Sequence, residues 1–149
     1  MKETSVTRWC RVLFAITIAS CSTTTTSGPR HLPSPEQLPS SVAPAERQAY
    51  SRARPVFERY CSGCHTPGAG NSEAVEHFNV GTYPFSGHHS HEVTESVRSA
   101  LGASGKPATM PADRPGIVKG EELTRVLQWA DAFDAANHES AAEHHEHHH

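Results

Sequence analysis

Apolar side chains recur at the spacing of a helix in three segments, and no segment alternates apolar and polar residues as a half-buried strand does. The clearest stripe lies in residues 119–137, where apolar side chains follow the first at offsets of three, four, seven and ten. Its members are Leu123, Val126, Leu127, Ala130 and Phe133. Residues 50–60 and 93–101 carry shorter stripes of the same kind. We therefore predict an all-α domain whose helices are joined by long loops.

Composition limits how much of the 149-residue chain is expected to fold. Residues 21–45 are rich in Pro, Ser and Thr, and such a segment buries too little apolar surface to offset its ordering entropy. Residues 138–149 contain six of the twelve histidines, with Glu, Ala and Ser between them. We expect residues 21–45 to form a tether, residues 46–137 one small domain, and residues 138–149 a disordered tail.

The net charge of the chain indicates which kinds of binding partner are expected. The chain has 13 Lys and Arg against 16 Asp and Glu, a formal net charge of −3. Nucleic-acid binding requires a basic surface, so we expect no nucleic-acid partner. A neutral or positively charged protein partner is easier to accommodate.

The first 20 residues are typical of an export signal, with a positively charged start and a short apolar run at residues 12–19. That run is too short to cross a bilayer as a helix. It ends in Ile18-Ala19-Ser20-Cys21, which resembles the lipobox of bacterial lipoproteins. The resemblance implies cleavage before Cys21, a lipid on Cys21, and anchoring on the periplasmic side of the inner or outer membrane. The alternative is an ordinary secreted protein in which Cys21 has no role.

The segment Cys61-Ser62-Gly63-Cys64-His65 contains the most specific chemistry in the chain. Two thiols three positions apart, followed directly by an imidazole, form the attachment pattern of a c-type haem. The thiols can add to the two vinyl groups of the ring, and the imidazole can then ligate the iron. Small residues between the cysteines let the backbone approach the ring edge. We predict one covalent haem c held by Cys61 and Cys64, with His65 as an axial ligand.

Two other kinds of site use a Cys-x-x-Cys pair. A zinc ribbon needs a second pair at matching spacing, and the four cysteines of the chain supply none. A thioredoxin-like redox disulfide lies in a βαβ pattern, which is missing from this sequence. If Cys10 leaves with the signal and Cys21 is acylated, no thiol remains to form a disulfide.

Met110 is the predicted second iron ligand. The chain has two methionines, and the other is Met1, so no other thioether competes after cleavage of the signal. Pro111 favours an extended backbone at Met110, and Pro107 stiffens the approach to it. A stiff loop presents the sulfur with little entropy left to lose. The alternative is that Met110 only packs against the ring.

The loop at residues 108–112 resembles the Met-Pro loop of class I cytochromes c. The helices at the two ends of the domain resemble that family as well. Ala53 and Phe57 stand where its first helix has a small residue and an aromatic, and Trp129 stands where its last helix meets the first. The resemblance implies a small cytochrome c fold, His/Met ligation, electron transfer without enzymatic activity of its own, and redox proteins as partners.

Other functions stay open at this point. An iron without Met110 as a ligand would suit a haem peroxidase or a gas or redox sensor. The histidines could instead make the chain a metal-binding lipoprotein, with residues 138–149 binding divalent metals weakly. His88, His89 and His91 compete as ligands, although a solvent-exposed helix start is the simpler interpretation. Lastly, the chain could be an electron-entry subunit of a larger redox complex. His77 is assigned no role beyond the surface or the neighbourhood of a propionate.

Overall fold

The computed structural model describes residues 31–69, 71–87 and 92–145. Five helices follow a 3-10 turn at Pro35–Gln37. They are α1 Pro44–Tyr60, α2 Ser62–His65, α3 Ser72–His77, α4 Val93–Ala100 and α5 Gly120–His145. Within the described residues, extended pairing is limited to one isolated bridge between Asn79 and Ser86. The predicted all-α class is therefore confirmed.

The core forms where α1 crosses α5. Ala53 and Phe57 of α1 and Trp129 and Ala130 of α5 are all buried, and the rings of Phe57 and Trp129 meet edge to face at 5.0 Å. Burying one such ring stabilises the fold by about 1.5–3 kcal/mol, and an edge-to-face pair adds about 0.5–1.5 kcal/mol. The predicted contact between Trp129 and the first helix is confirmed.

Ion pairs and a hydrogen bond between polar side chains link α4 to α5. Arg98 forms ion pairs of 2.8 Å with both Asp131 and Asp134, and the Thr94 hydroxyl donates to Asp134 at 2.6 Å. After α4 the backbone turns through Gly102, whose φ of 82° is left-handed. A side chain there would also press on the backbone of Ala108. Gly102 therefore helps to end α4.

The predicted tether at residues 21–45 is wrong for its described part. Helix α1 begins at Pro44, and Leu32, Leu38 and Val42 are buried in the same core as the helices. Three well-spaced apolar side chains are enough to dock a segment that looks polar on average. The folded domain therefore includes residues 31–45, while residues 21–30 lie outside the described part.

Helix α5 is longer than the stripe that predicted it. Its backbone stays helical through His145, so the disordered tail predicted for residues 138–149 is wrong over residues 138–145. No Gly or Pro follows Gly120, and Ala and Glu favour the helix, so nothing in the sequence stops it. Residues 146–149 lie outside the described part.

Candidate cofactor site

The Cys-x-x-Cys-His segment forms a single turn at the end of α1. Cys61 closes α1, donating its backbone N–H to the carbonyl of Phe57 at 2.9 Å. The N–H groups of Cys64 and His65 in turn donate to the carbonyl of Cys61, at 3.1 and 2.9 Å. His65 therefore lies one turn beyond Cys61, on the same face of the helix. Both cysteines are free thiols.

The imidazole of His65 is oriented by two backbone carbonyls. Its Nδ1 lies 2.9 Å from the carbonyl oxygen of Phe78 and 3.0 Å from that of Ala74. A carbonyl oxygen only accepts hydrogen bonds, so Nδ1 carries the proton, and in the neutral imidazole Nε2 presents a lone pair. Metal-binding histidines are commonly held this way, because the second bond fixes both tautomer and ring direction.

Helix α3 places these carbonyls. The Asn71 side chain caps its start, accepting from the N–H of Ala74 at 2.9 Å, and Val80 donates its N–H to the carbonyl of His65 at 2.9 Å. The ring of Phe78 also packs edge-on against His65, with centroids 5.4 Å apart. Sequence reasoning missed the roles of Ala74 and Phe78, because backbone acceptors leave no side-chain signal. The Asn71 cap was the one available hint.

A largely apolar cavity lies beside the turn. Its empty volume is about 760 Å³, a figure that includes the space at the open mouth. Apolar walls come from α1, α4, α5 and the loop before α5. They include Val56, Phe57, Val97, Leu101, Val118 and Val126.

Three of the four predicted haem-binding residues line this cavity: Cys61, His65 and Met110. The loop bearing Met110 is fixed to the end of α4, because the N–H groups of Thr109 and Met110 both donate to the carbonyl of Ala100, at 2.9 and 3.0 Å. The Met110 side chain remains 38% exposed. Cys64 is exposed and lies outside the cavity wall.

The environment of Cys61 differs from that of a redox-active thiol. Burial against the apolar cavity raises the pKa of the Cys61 thiol to about 12, and the neighbouring Cys64 adds to the rise. Thiols of the thioredoxin kind have lowered pKa values, because the thiolate is the reactive form. This weighs against Cys61 as the attacking thiol of such a site.

Four other histidines lie between residues 66 and 100. His77 is exposed and lines the same cavity, which agrees with a place near its mouth. His88, His89 and His91 lie outside the described residues. Over the ranges that the structure does describe, no three His, Cys, Asp or Glu side chains cluster as a metal site would require.

Comparison with known proteins gives no match: no family model, no curated protein and no solved structure is similar to this chain. None of the described helices is long and apolar enough to cross a membrane. The predicted signal peptide and lipidation site, residues 1–21, lie outside the described part.

Proposed function

We propose that this protein is a lipid-anchored monohaem c-type cytochrome of class I type that transfers single electrons outside the cytoplasmic membrane. One observation carries the proposal. His65 follows two free thiols in a single helical turn, and its Nδ1 is engaged by two carbonyls beside an apolar cavity. That arrangement leaves Nε2 as the ligating atom.

The residues present fit a covalent haem. Cys61 and Cys64 would hold it as thioethers, and His65 and Met110 would ligate its iron. When bound, the group would supply reversible one-electron chemistry at iron, and a Met ligand together with His would raise the reduction potential. The apolar walls of the cavity would limit access of water to the haem. The low polarity around the iron would in turn affect its reduction potential.

A second candidate function rests on Met110. Its exposed side chain is held only through the loop backbone in the contacts described above. If the sulfur does not ligate, the iron is open and a peroxidase or gas sensor becomes the better description. Adding CO to the reduced native protein separates the two. Slow or absent CO binding supports the electron carrier, and a fast stoichiometric complex supports the open site.

Haem attachment is tested on the purified exported protein by a pyridine haemochrome assay after extraction of non-covalent haem. We expect one haem per chain in the wild type and a loss of covalent haem in Cys61→Ala and Cys64→Ala. Cys10→Ala is the matched control, because that cysteine is removed with the signal, and its haem content should equal the wild type. Wild-type protein that is exported in haem-competent cells but retains no covalent haem would overturn the proposal.

A further inference from the structure

Three buried side chains form a hydrogen-bonded chain that lies one ring away from the cofactor cavity. The indole N–H of Trp129 donates to the Tyr83 hydroxyl at 2.9 Å, and that hydroxyl donates to the Glu46 carboxylate at 2.5 Å. All three residues are at most 7% exposed. Burying an ionisable carboxyl costs free energy, and the proposed ligation of the haem uses none of the three.

Packed aromatic rings connect these side chains to the cavity. Phe57 lines the cavity, and its ring meets the ring of Trp129 edge to face at 5.0 Å. Phe85 extends the stack, with its ring centroid 5.0 Å from that of Phe57 and 5.2 Å from that of Tyr83. Electron tunnelling becomes steeply slower with distance. The short ring-to-ring steps therefore place Trp129 and Tyr83 within reach of a redox centre in the cavity.

Tyr83 combines an oxidisable ring with a proton acceptor. A phenol loses an electron far more readily when its proton leaves at the same time, because no cationic radical then forms. Burial and the hydrogen bond to Glu46 raise the pKa of the Tyr83 phenol, so it does not ionise on its own. Burial also raises the pKa of Glu46 above its usual value of 4.5, which makes this carboxylate a stronger base than an exposed one. The pair is thus suited to joint loss of an electron and transfer of a proton.

The chain has three tyrosines, and the other two are less suited to this chemistry. The Tyr50 hydroxyl donates to a backbone carbonyl at 2.9 Å, and a peptide carbonyl is too weak a base to take the proton. Tyr60 donates to Glu122 at 2.9 Å, but that carboxylate is shared with Arg59. The Arg59 guanidinium also lies 5.1 Å from the centre of the Tyr60 ring, where its positive charge opposes the loss of an electron. Tyr83 is therefore the favoured site of oxidation.

We propose that Tyr83 is a second redox site, which supplies one of the two electrons when the haem protein reduces hydrogen peroxide. The proposal rests on the proposed haem attachment. The O–O bond of the peroxide breaks as it accepts two electrons and two solvent protons, which gives two molecules of water. Fe(II) gives one electron and becomes Fe(III). Tyr83 gives the other, its proton moves to Glu46, and a neutral tyrosyl radical remains. A later electron from the donor of the haem, with the proton returning from Glu46, restores Tyr83.

Such a site protects the residues of the cavity. Peroxide reaches the iron when the Met110 sulfur is not bound to it, and a free thioether is readily oxidised to the sulfoxide. Met110 lines the cavity, as His65 does. An oxidising equivalent that moves through the rings to Tyr83 no longer attacks either side chain.

The test uses the haem-loaded full chain with Met110→Ala, which opens the iron to peroxide whatever its ligand in the wild type. The reduced protein is mixed with one equivalent of hydrogen peroxide in the absence of oxygen, frozen within milliseconds and examined by electron paramagnetic resonance. We expect ferric haem together with a tyrosyl radical. Ring-deuterated tyrosine should narrow the radical signal, and deuterated water should slow its formation. Ferric haem without a tyrosyl radical overturns the proposal, and so does an iron that does not react with peroxide.

Further substitutions in the same background locate the radical. Tyr83→Phe should lose the tyrosyl signal and should bleach its haem severalfold faster in excess peroxide, whereas Tyr60→Phe, the matched control, should change neither. Glu46→Gln keeps the phenol but removes its base, so it should lower the radical yield and leave the haem content unchanged. A signal that survives Tyr83→Phe in full, or that disappears in Tyr60→Phe, would place the radical elsewhere and overturn the proposal.

A variant with Tyr83 as its single tyrosine covers the case in which Tyr83→Phe fails to fold. Tyr50→Phe with Tyr60→Phe removes both other phenols and leaves the hydrogen bonds of Tyr83 in place. Its tyrosyl signal should equal that of the Met110→Ala parent. Loss of the signal from protein that keeps its haem spectrum contradicts the assignment to Tyr83. Loss of covalent haem in the wild type instead overturns the proposed function itself.

Discussion

Replacing Tyr83 with Phe removes one hydroxyl that joins three buried side chains. The Tyr83 hydroxyl donates to the Glu46 carboxylate at 2.5 Å and accepts from the indole N–H of Trp129 at 2.9 Å. All three side chains are at most 7% exposed. Without the hydroxyl, the Glu46 carboxylate and the Trp129 N–H both lose a hydrogen-bond partner, and water cannot easily replace it because both groups are buried. At about 1–3 kcal/mol for each of the two groups left without a partner, the unfolding free energy should fall by about 2–6 kcal/mol. That is a large part of the ~5–15 kcal/mol of a typical domain.

The loss of unfolding free energy in Tyr83→Phe should be greater at higher pH. Burial raises the pKa of Glu46 above its usual value of 4.5, and the hydrogen bond from Tyr83 opposes that rise. A folded-state pKa above the unfolded one means that Glu46 favours the fold most below the ordinary pKa, and this contribution disappears as pH rises through the raised value. In Tyr83→Phe the opposing hydrogen bond is gone, so the pKa rises further. The destabilisation should therefore be greater at neutral than at acidic pH.

The assay is chemical denaturation of the haem-loaded protein followed by far-UV circular dichroism at several pH values. Glu46→Gln with Tyr83→Phe should remove the extra pH dependence, because no carboxyl remains to titrate. Tyr60→Phe is the matched control, since its hydroxyl donates to Glu122 at 2.9 Å near the surface and its loss should change stability little. The reasoning is refuted if Tyr83→Phe is no less stable than Tyr60→Phe, or if its deficit is the same at every pH.

Three further predictions concern the second iron ligand, the N-cap of α3 and the lipid anchor. Met110→Ala should lower the reduction potential and remove the weak red absorption of ferric thioether ligation; a spectrum identical to wild type would show that Met110 is not a ligand. Asn71→Ala should lower the unfolding free energy by about 1 kcal/mol through loss of the α3 cap, whereas Asn71→Asp should keep the cap and the stability; equal denaturation midpoints for both would contradict the role of the cap. Cys21→Ser should give an exported protein that fractionates as soluble with an unchanged haem spectrum, and persistence in the membrane fraction would argue against lipidation.

Most of the helical framework followed from periodicity. The stripe ending at Phe133 predicted α5, because packing demands apolar residues at helical intervals. That Ala53 and Phe57 meet Trp129 was implied by the resemblance to class I cytochromes c and not by their spacing. The ends of the elements were less predictable. Helix α5 passes beyond its apolar stripe, since a helix continues wherever no residue breaks it.

The segment that precedes α1 was misjudged for a physical reason. Average composition made residues 31–45 look unfolded, but Leu32, Leu38 and Val42 are spaced to reach the core, and the backbone oxygens between them meet Arg47 and Arg54. Such contacts depend on where a distant helix places its side chains. A window of sequence holds no information about that placement.

In the candidate site, too, some features follow from the local sequence and others from the tertiary structure. Cys61, Cys64 and His65 belong to one helical turn, so their mutual arrangement is local, and the sequence by itself determined the motif and its chemistry. Only the tertiary structure decided the tautomer of His65, because the deciding acceptors are carbonyls nine and thirteen residues away. It likewise decided that Met110 shares the cavity with His65, and that His31 lies beside Glu58 near the end of α1. Each of these depends on long-range packing. The backbone carbonyls that orient His65 have the same chemistry in every residue, so the sequence carries no signal of their role.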